Sequence, residues 1–147
     1  MTPNAFIEAA KSLIGTCYSH QGRSRKAVDC VGLVVFALQL SGVLTADEAA
    51  AIPHNYPRNP DGQLVDALHD HCIRVLVEDV QAGDLLALKY FNEPQHLVIV
   101  ERVTKWGSFV IHAVPDGGVI HHMLDDNYLA TRRATIHAVF RLKKFLP

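Results

Sequence analysis

A chain of 147 residues, 49% hydrophobic and 20% charged, is long enough for one domain with a real core and too apolar for disorder. Its formal net charge of -1 excludes bulk electrostatic attraction to nucleic acid or an anionic membrane. No apolar run approaches the ~20 residues that insertion into a bilayer requires.

Phe6, Ala9, Ala10 and Leu13 are spaced for the buried face of a first helix, which Asn4 can cap and Gly15 can stop. The opening Met1-Thr2-Pro3-Asn4 has no basic segment leading into an apolar run, so no secretory signal is expected and synthesis is expected in the cytoplasm. Residues 16–28 are polar and read as a loop. Cys30 to Leu40 is almost wholly apolar, about three turns long, and closed by Ser41-Gly42. A helix apolar all round is normally buried, and Asp29 is a good N-cap for it. Cys30 would therefore sit in the first turn of a central helix.

Residues 45–71 hold short helical pieces broken by Pro53, Pro57 and Pro60-Asp61-Gly62. The pattern then changes to short β-branched or aromatic runs at 73–77, 84–90, 97–103, 109–114 and 138–142. Tight turn signals separate them, among them Lys105-Trp106-Gly107-Ser108 and Pro115-Asp116-Gly117-Gly118. Strands joined by short turns make an antiparallel sheet, and helices first with strands after is the α+β pattern. No repeat or linker divides residues 1–147, so a single domain is expected.

The cysteines, Cys17, Cys30 and Cys72, are odd in number and widely spaced. That argues against a disulfide framework and leaves at least one free thiol. Only a thiolate is a good nucleophile, so a reactive cysteine needs a base or a positive charge nearby. The helix dipole offers Cys30 ~0.3–1 kcal/mol. An imidazolium ~4 Å away offers ~4 kcal/mol at an effective dielectric of 20. A histidine must do most of the work. Among the nine histidines, His96 opens the most apolar strand. His112 lies in the strand expected to pair with it across the Trp106-Gly107 turn. There the two can be cross-strand neighbours, with His112 holding one nitrogen of His96 and leaving the other for Cys30. On spacing alone, a small buried cysteine and a satisfied core histidine explain the same residues.

Five short motifs alter that balance. Gly15-Thr16-Cys17-Tyr18, Asp29-Cys30-Val31-Gly32-Leu33-Val34, Ala82-Gly83-Asp84-Leu85-Leu86, Gln95-His96-Leu97-Val98-Ile99 and Ile111-His112-Ala113 resemble, in order, the motif series of NlpC/P60 cell-wall peptidases. The likeness runs from about Phe6 to Leu142. The loop Tyr18-Ser19-His20-Gln21-Gly22 is similar to the branch found in tailed phages and prophages. The resemblance implies a papain-like α+β fold, with helices packed on a central antiparallel sheet. It implies hydrolysis of an amide in the peptidoglycan stem peptide, commonly between D-glutamate and a diamino acid, with no cofactor. By motif, Cys30 is nucleophile, His96 base and His112 the orienting third residue; Tyr18 would line the site and Asp29 would help hold a substrate amine.

Val31 stands where the family usually has a serine that also contacts the amine, which leaves the bond cut open. Cys17 replaces a usual proline; it and Cys72 read as structural. Cys30 preceding His96 separates the chain from permuted relatives in which His comes first, and His112 separates it from CHAP-type amidases. Other readings remain: a catalytically silent binding or tail-assembly module, or an amidase or secreted antibacterial effector on the same fold. Zinc at His69, His71 and Cys72 or at His121-His122 lacks the spacing of a structural site. Expected partners are stem peptides and phage tail proteins, and the expected destination is a virion tail or, by delivery, the periplasm or cell wall.

Overall fold

The computed structural model describes residues 1–57, 63–90 and 93–147. The expected break at Pro60-Asp61-Gly62 lies outside the described residues, as does Asn92. Five helices are described: α1 (Asn4–Ser12), α2 (Cys30–Leu40), α3 (Ala46–Ala51), α4 (Gln63–His71) and α5 (Asp126–Arg132). The strands are β1 (Cys17–Tyr18), β2 (Ala27–Val28), β3 (Cys72–Val75), β4 (Leu85–Tyr90), β5 (Glu93–Thr104), β6 (Gly107–Val114), β7 (Gly118–Leu124) and β8 (Ala134–Leu142). The last six form one antiparallel sheet in the order β3-β8-β4-β5-β6-β7. The architecture is the expected α+β one.

The apolar helix α2 buries Leu33, Val34, Val35, Ala37 and Leu38. They pack with Phe6 and Ala10 of α1 and with Leu97, Ile99, Ile111 and Phe140 on one sheet face. The other face carries a smaller cluster, including Val98, Val100, Val110 and Val139, with Tyr128 and Leu129 of α5 packed against it. No helix among the described residues is long and apolar enough to cross a membrane.

Two sequence expectations need correction. Asn4 is the first residue of α1; Pro3 occupies the cap and no side chain caps that end. β7 and α5 follow the Gly117-Gly118 turn, where no element was expected. The adjacent polar pair His121-His122 interrupts the apolar pattern of β7, and α5 is only seven residues long.

Glycine is required at the join between α2 and the preceding loop. A Cβ on Gly32 would lie 1.8 Å from the Gly22 carbonyl oxygen, so the loop can lie against the helix's first turn only because no side chain is there. β1 is fixed from the other side: Val119 N–H donates to the Thr16 carbonyl and Gly15 N–H to the Val119 carbonyl, both at 2.9 Å. These contacts bring Tyr18, Cys30 and the ends of β5 and β6 to one rim.

Candidate active site

Asp29 organises the start of α2. Its Oδ1 accepts from Gly32 N–H at 2.7 Å, the expected cap. Its Oδ2 accepts from Gln21 N–H at 2.7 Å and from the Tyr56 hydroxyl at 2.5 Å, with His20 Nδ1 at 3.9 Å. The carboxylate is 2% exposed, so most of its hydrogen-bonding capacity is spent inside the protein. Burial first, and then this hydrogen bond, push the Tyr56 hydroxyl's pKa up, which keeps it a donor. Tyr56 was not singled out in the sequence; it lies between Pro53-His54-Asn55 and Pro57 with no periodicity to mark it.

Cys30 is half-buried at the head of α2. Desolvation, and secondarily the Asp29 charge, push its thiol up to about 12, while backbone amides of Leu97, Val31 and Cys30 itself pull the other way. The contact with Leu97 sets the sulfur beside the residue that follows His96. Both Cys30 and His96 line a cavity of about 870 Å³, together with Tyr18, Tyr56, Tyr90 and Arg132. The lining also includes Asp66 and Asp70 of α4 and Asp116 of the β6–β7 turn.

His96 alternates with Val98 and Val100, so its ring belongs to the sheet face that α5 covers, whereas α2 lies on the other. The cavity at the end of β5 is where side chains from the two faces meet. Burial lowers His96 to about 4. Its Nε2 is 2.5 Å from His112 Nδ1, leaving Nδ1 as the other ring nitrogen. Burial first, then the fields of His96, His122 and Arg132, lower His112 to about 2. Ile99 pairs with Ile111, which sets His112 beside position 98. The two histidines are thus diagonal rather than directly opposite, a separation that rings can span.

His69 and His71 lie on α4 two residues apart, on different helix faces; His69 packs edge-on against Phe140 and His71 lines the cavity. His121 pairs with Glu101, and His122 bonds His112. Among the described residues no group of three or more His, Cys, Asp or Glu is arranged to hold a metal ion. Cys17, Cys30 and Cys72 are all free thiols.

A helix-borne cysteine and a sheet-borne histidine lining one cavity of an α+β fold define a papain-like class of proteins. The sequence matches the NlpC/P60 family over residues 15–138, and the chain belongs to that family, whose members are generally cell-wall peptidases. Solved structures agree in fold. The NlpC/P60 domain of peptidoglycan hydrolase SagA is 19% identical, with a TM-score of 0.64 over 97% of this chain and 99% of that one. An NlpC/P60 protein from Bacillus cereus ATCC 10987 is 18% identical with a TM-score of 0.66, over 100% of this chain and 41% of that one. A lipoprotein-like NLP/P60 protein from Staphylococcus aureus subsp. aureus Mu50 is 20% identical with a TM-score of 0.63, over 95% and 41%. The chain thus spans under half the length of the latter two. No curated protein matches it in sequence.

Proposed function

We propose that the chain is a cysteine peptidase that cuts an amide bond in the stem peptide of peptidoglycan, with Cys30 as nucleophile, His96 as base and His112 as orienter. The observation that carries this reading is the shared cavity. It exposes Cys30 and His96 together, while the far nitrogen of His96 is held 2.5 Å from His112.

Both partners are uncharged at neutral pH, because burial raises the thiol and lowers the imidazole. The proton therefore moves as the bond forms. Sγ attacks the scissile carbonyl carbon while His96 Nδ1 takes the thiol proton. The resulting imidazolium donates a charge-assisted hydrogen bond to His112. The carbonyl oxygen becomes an oxyanion, for which the Cys30 N–H in the first turn of α2 is the natural donor. Collapse expels the amine, which receives its proton from His96. Water, deprotonated by His96, then cleaves the thioester and restores the thiol.

The cavity wall suits a zwitterionic peptide: Asp66, Asp70 and Asp116 complement an amine, and Arg132 complements a carboxylate. The bond between D-glutamate and a diamino acid fits that chemistry. Val31 supplies no hydroxyl for a substrate amine and Asp29 is already held by Gly32, Gln21 and Tyr56, so that contact falls to Tyr18 and the more exposed carboxylates of the cavity. Delivery by a phage tail would bring such an enzyme to its substrate, and the Tyr18–Gly22 loop is the residue-level support for that origin.

Incubation with purified muropeptides tests the proposal, with products identified by mass spectrometry. Cleavage should be lost in Cys30→Ala. Cleavage at the wild-type rate in that variant would remove Cys30 from the mechanism. No product from wild type between pH 5 and 9 would favour a silent binding module, for which Val31 is the specific argument.

A further inference from the structure

The line of histidines does not end at the orienter. His112 Nε2 lies 2.7 Å from His122 Nε2, and His122 Nδ1 lies 2.9 Å from the Met123 carbonyl oxygen. A carbonyl can only accept, so His122 Nδ1 carries a hydrogen. With His122 in its neutral form, which has one N–H, His122 Nε2 is a lone pair and His112 Nε2 must donate to it. His112 Nδ1 is then a lone pair, and His96 Nε2 must donate in turn. One nitrogen of His96 remains, Nδ1, and it too is a lone pair. That is the form a base requires.

The geometry points to His122 as a positioning residue that, anchored on the Met123 carbonyl, sets the tautomer of His112 and through it presents a proton-accepting Nδ1 on His96. The role in turnover rests on the hydrolase reading above; the tautomers themselves do not.

Three observations make the arrangement more than a chance contact. The register places the rings on one sheet face: His112 pairs with Ile120 and His122 with Val110, so His122 is diagonal to His112 just as His112 is to His96. His112 is 0% exposed, so its Nε2–H has no water to turn to if the His122 lone pair is removed. α5 also holds the His122 ring in place. Tyr128 packs on it with centroids 4.3 Å apart and planes 31° apart. The Tyr128 amide is tied to Asp125 at 2.8 Å, and the Arg132 guanidinium sits 5.1 Å from the Tyr128 ring centre. The order of proton positions is therefore set from the edge strand β7, at a residue outside the lining of the cavity.

The test is nitrogen-15 spectroscopy of the histidine rings in the full chain at neutral pH, without substrate, alongside muropeptide kinetics. Wild type should show His122 as the Nδ1–H form and both His112 and His96 as Nε2–H forms. His122→Phe keeps a ring but removes the acceptor. It should give mixed tautomers at His112 and His96 and a roughly 5- to 30-fold fall in kcat with little change in KM, the consequence of one lost buried hydrogen bond. His122→Gln, whose amide can accept from His112 and donate to Met123, should recover most of the rate. Wild-type His96 in the Nδ1–H form would overturn the proposal, as would unchanged tautomers and kcat in a folded His122→Phe. Should that variant fail to fold, the wild-type spectrum and His122→Gln still decide. A wild type with the expected spectrum but no muropeptide cleavage would sink the hydrolase reading and leave the proton order standing.

Discussion

Cys30 and His96 occupy surroundings that suppress charge on each, the thiol rising to about 12 and the imidazole falling to about 4. In the proposed mechanism the site does not store a thiolate; it makes one only as the carbonyl is attacked. His96 then carries the proton, and His112 contributes geometry. His96→Ala should lower kcat by about 10²–10⁴-fold, the usual span for a general base, and His112→Ala by clearly less. Muropeptide kinetics on both variants check the ranking, and equal losses would contradict it. At this scale the sequence was partly legible. Cys30, Asp29, His96 and His112 stand out because each interrupts or opens an apolar run. Tyr56 and His122 do not. Tyr56 reaches Asp29 across 27 residues from an irregular segment, and His122 hides in a pair whose members serve different partners.

Elements whose apolar pattern is long were readable; elements defined by their neighbours were not. α2 announces itself by an unbroken apolar run between a carboxylate cap and Ser41-Gly42. β7 does not, because its half-buried residues alternate against β6 rather than against solvent. The diagonal offset of His96 and His112 was equally out of reach, since register depends on a bulge between Val100 and Arg102 that composition does not mark. The join of α2 to the Gln21-Gly22 loop yields a prediction belonging to this scale. Gly32→Ala would drive a methyl into the Gly22 carbonyl, which no rotamer can relieve. Urea unfolding should show a loss of about 3 kcal/mol, the upper end for overpacking. A loss below ~0.5 kcal/mol, typical of a neutral surface change, would mean that the loop does not lie against the helix.

For the molecule as a whole, the buried titratable groups bound the pH range of stability. His96 and His112 have folded-state pKa values of about 4 and about 2, below the ordinary 6.5. Between these limits the unfolded chain binds protons that the folded chain refuses, so stability falls as pH drops below ~6.5. Cys30 and Cys72, both raised from the ordinary 9.0 to about 12, act in the opposite sense. Above ~9 the unfolded chain releases protons that the folded chain keeps, and stability falls as pH rises. Urea midpoints should form a plateau from about pH 6.5 to 9 with a decline on each side. A midpoint unchanged from pH 6.5 down to 4 would contradict the burial of the histidines.

The Asp29 carboxylate has a consequence for how such a cleft can change. It grips the helix that begins at Cys30 with one oxygen and, with the other, both the preceding loop and Tyr56. Pocket shape and thiol aim are therefore mechanically joined through one side chain. Substitutions that widen the wall around Tyr56 would also swing the sulfur, so in the proposed peptidase selectivity and turnover should drift together.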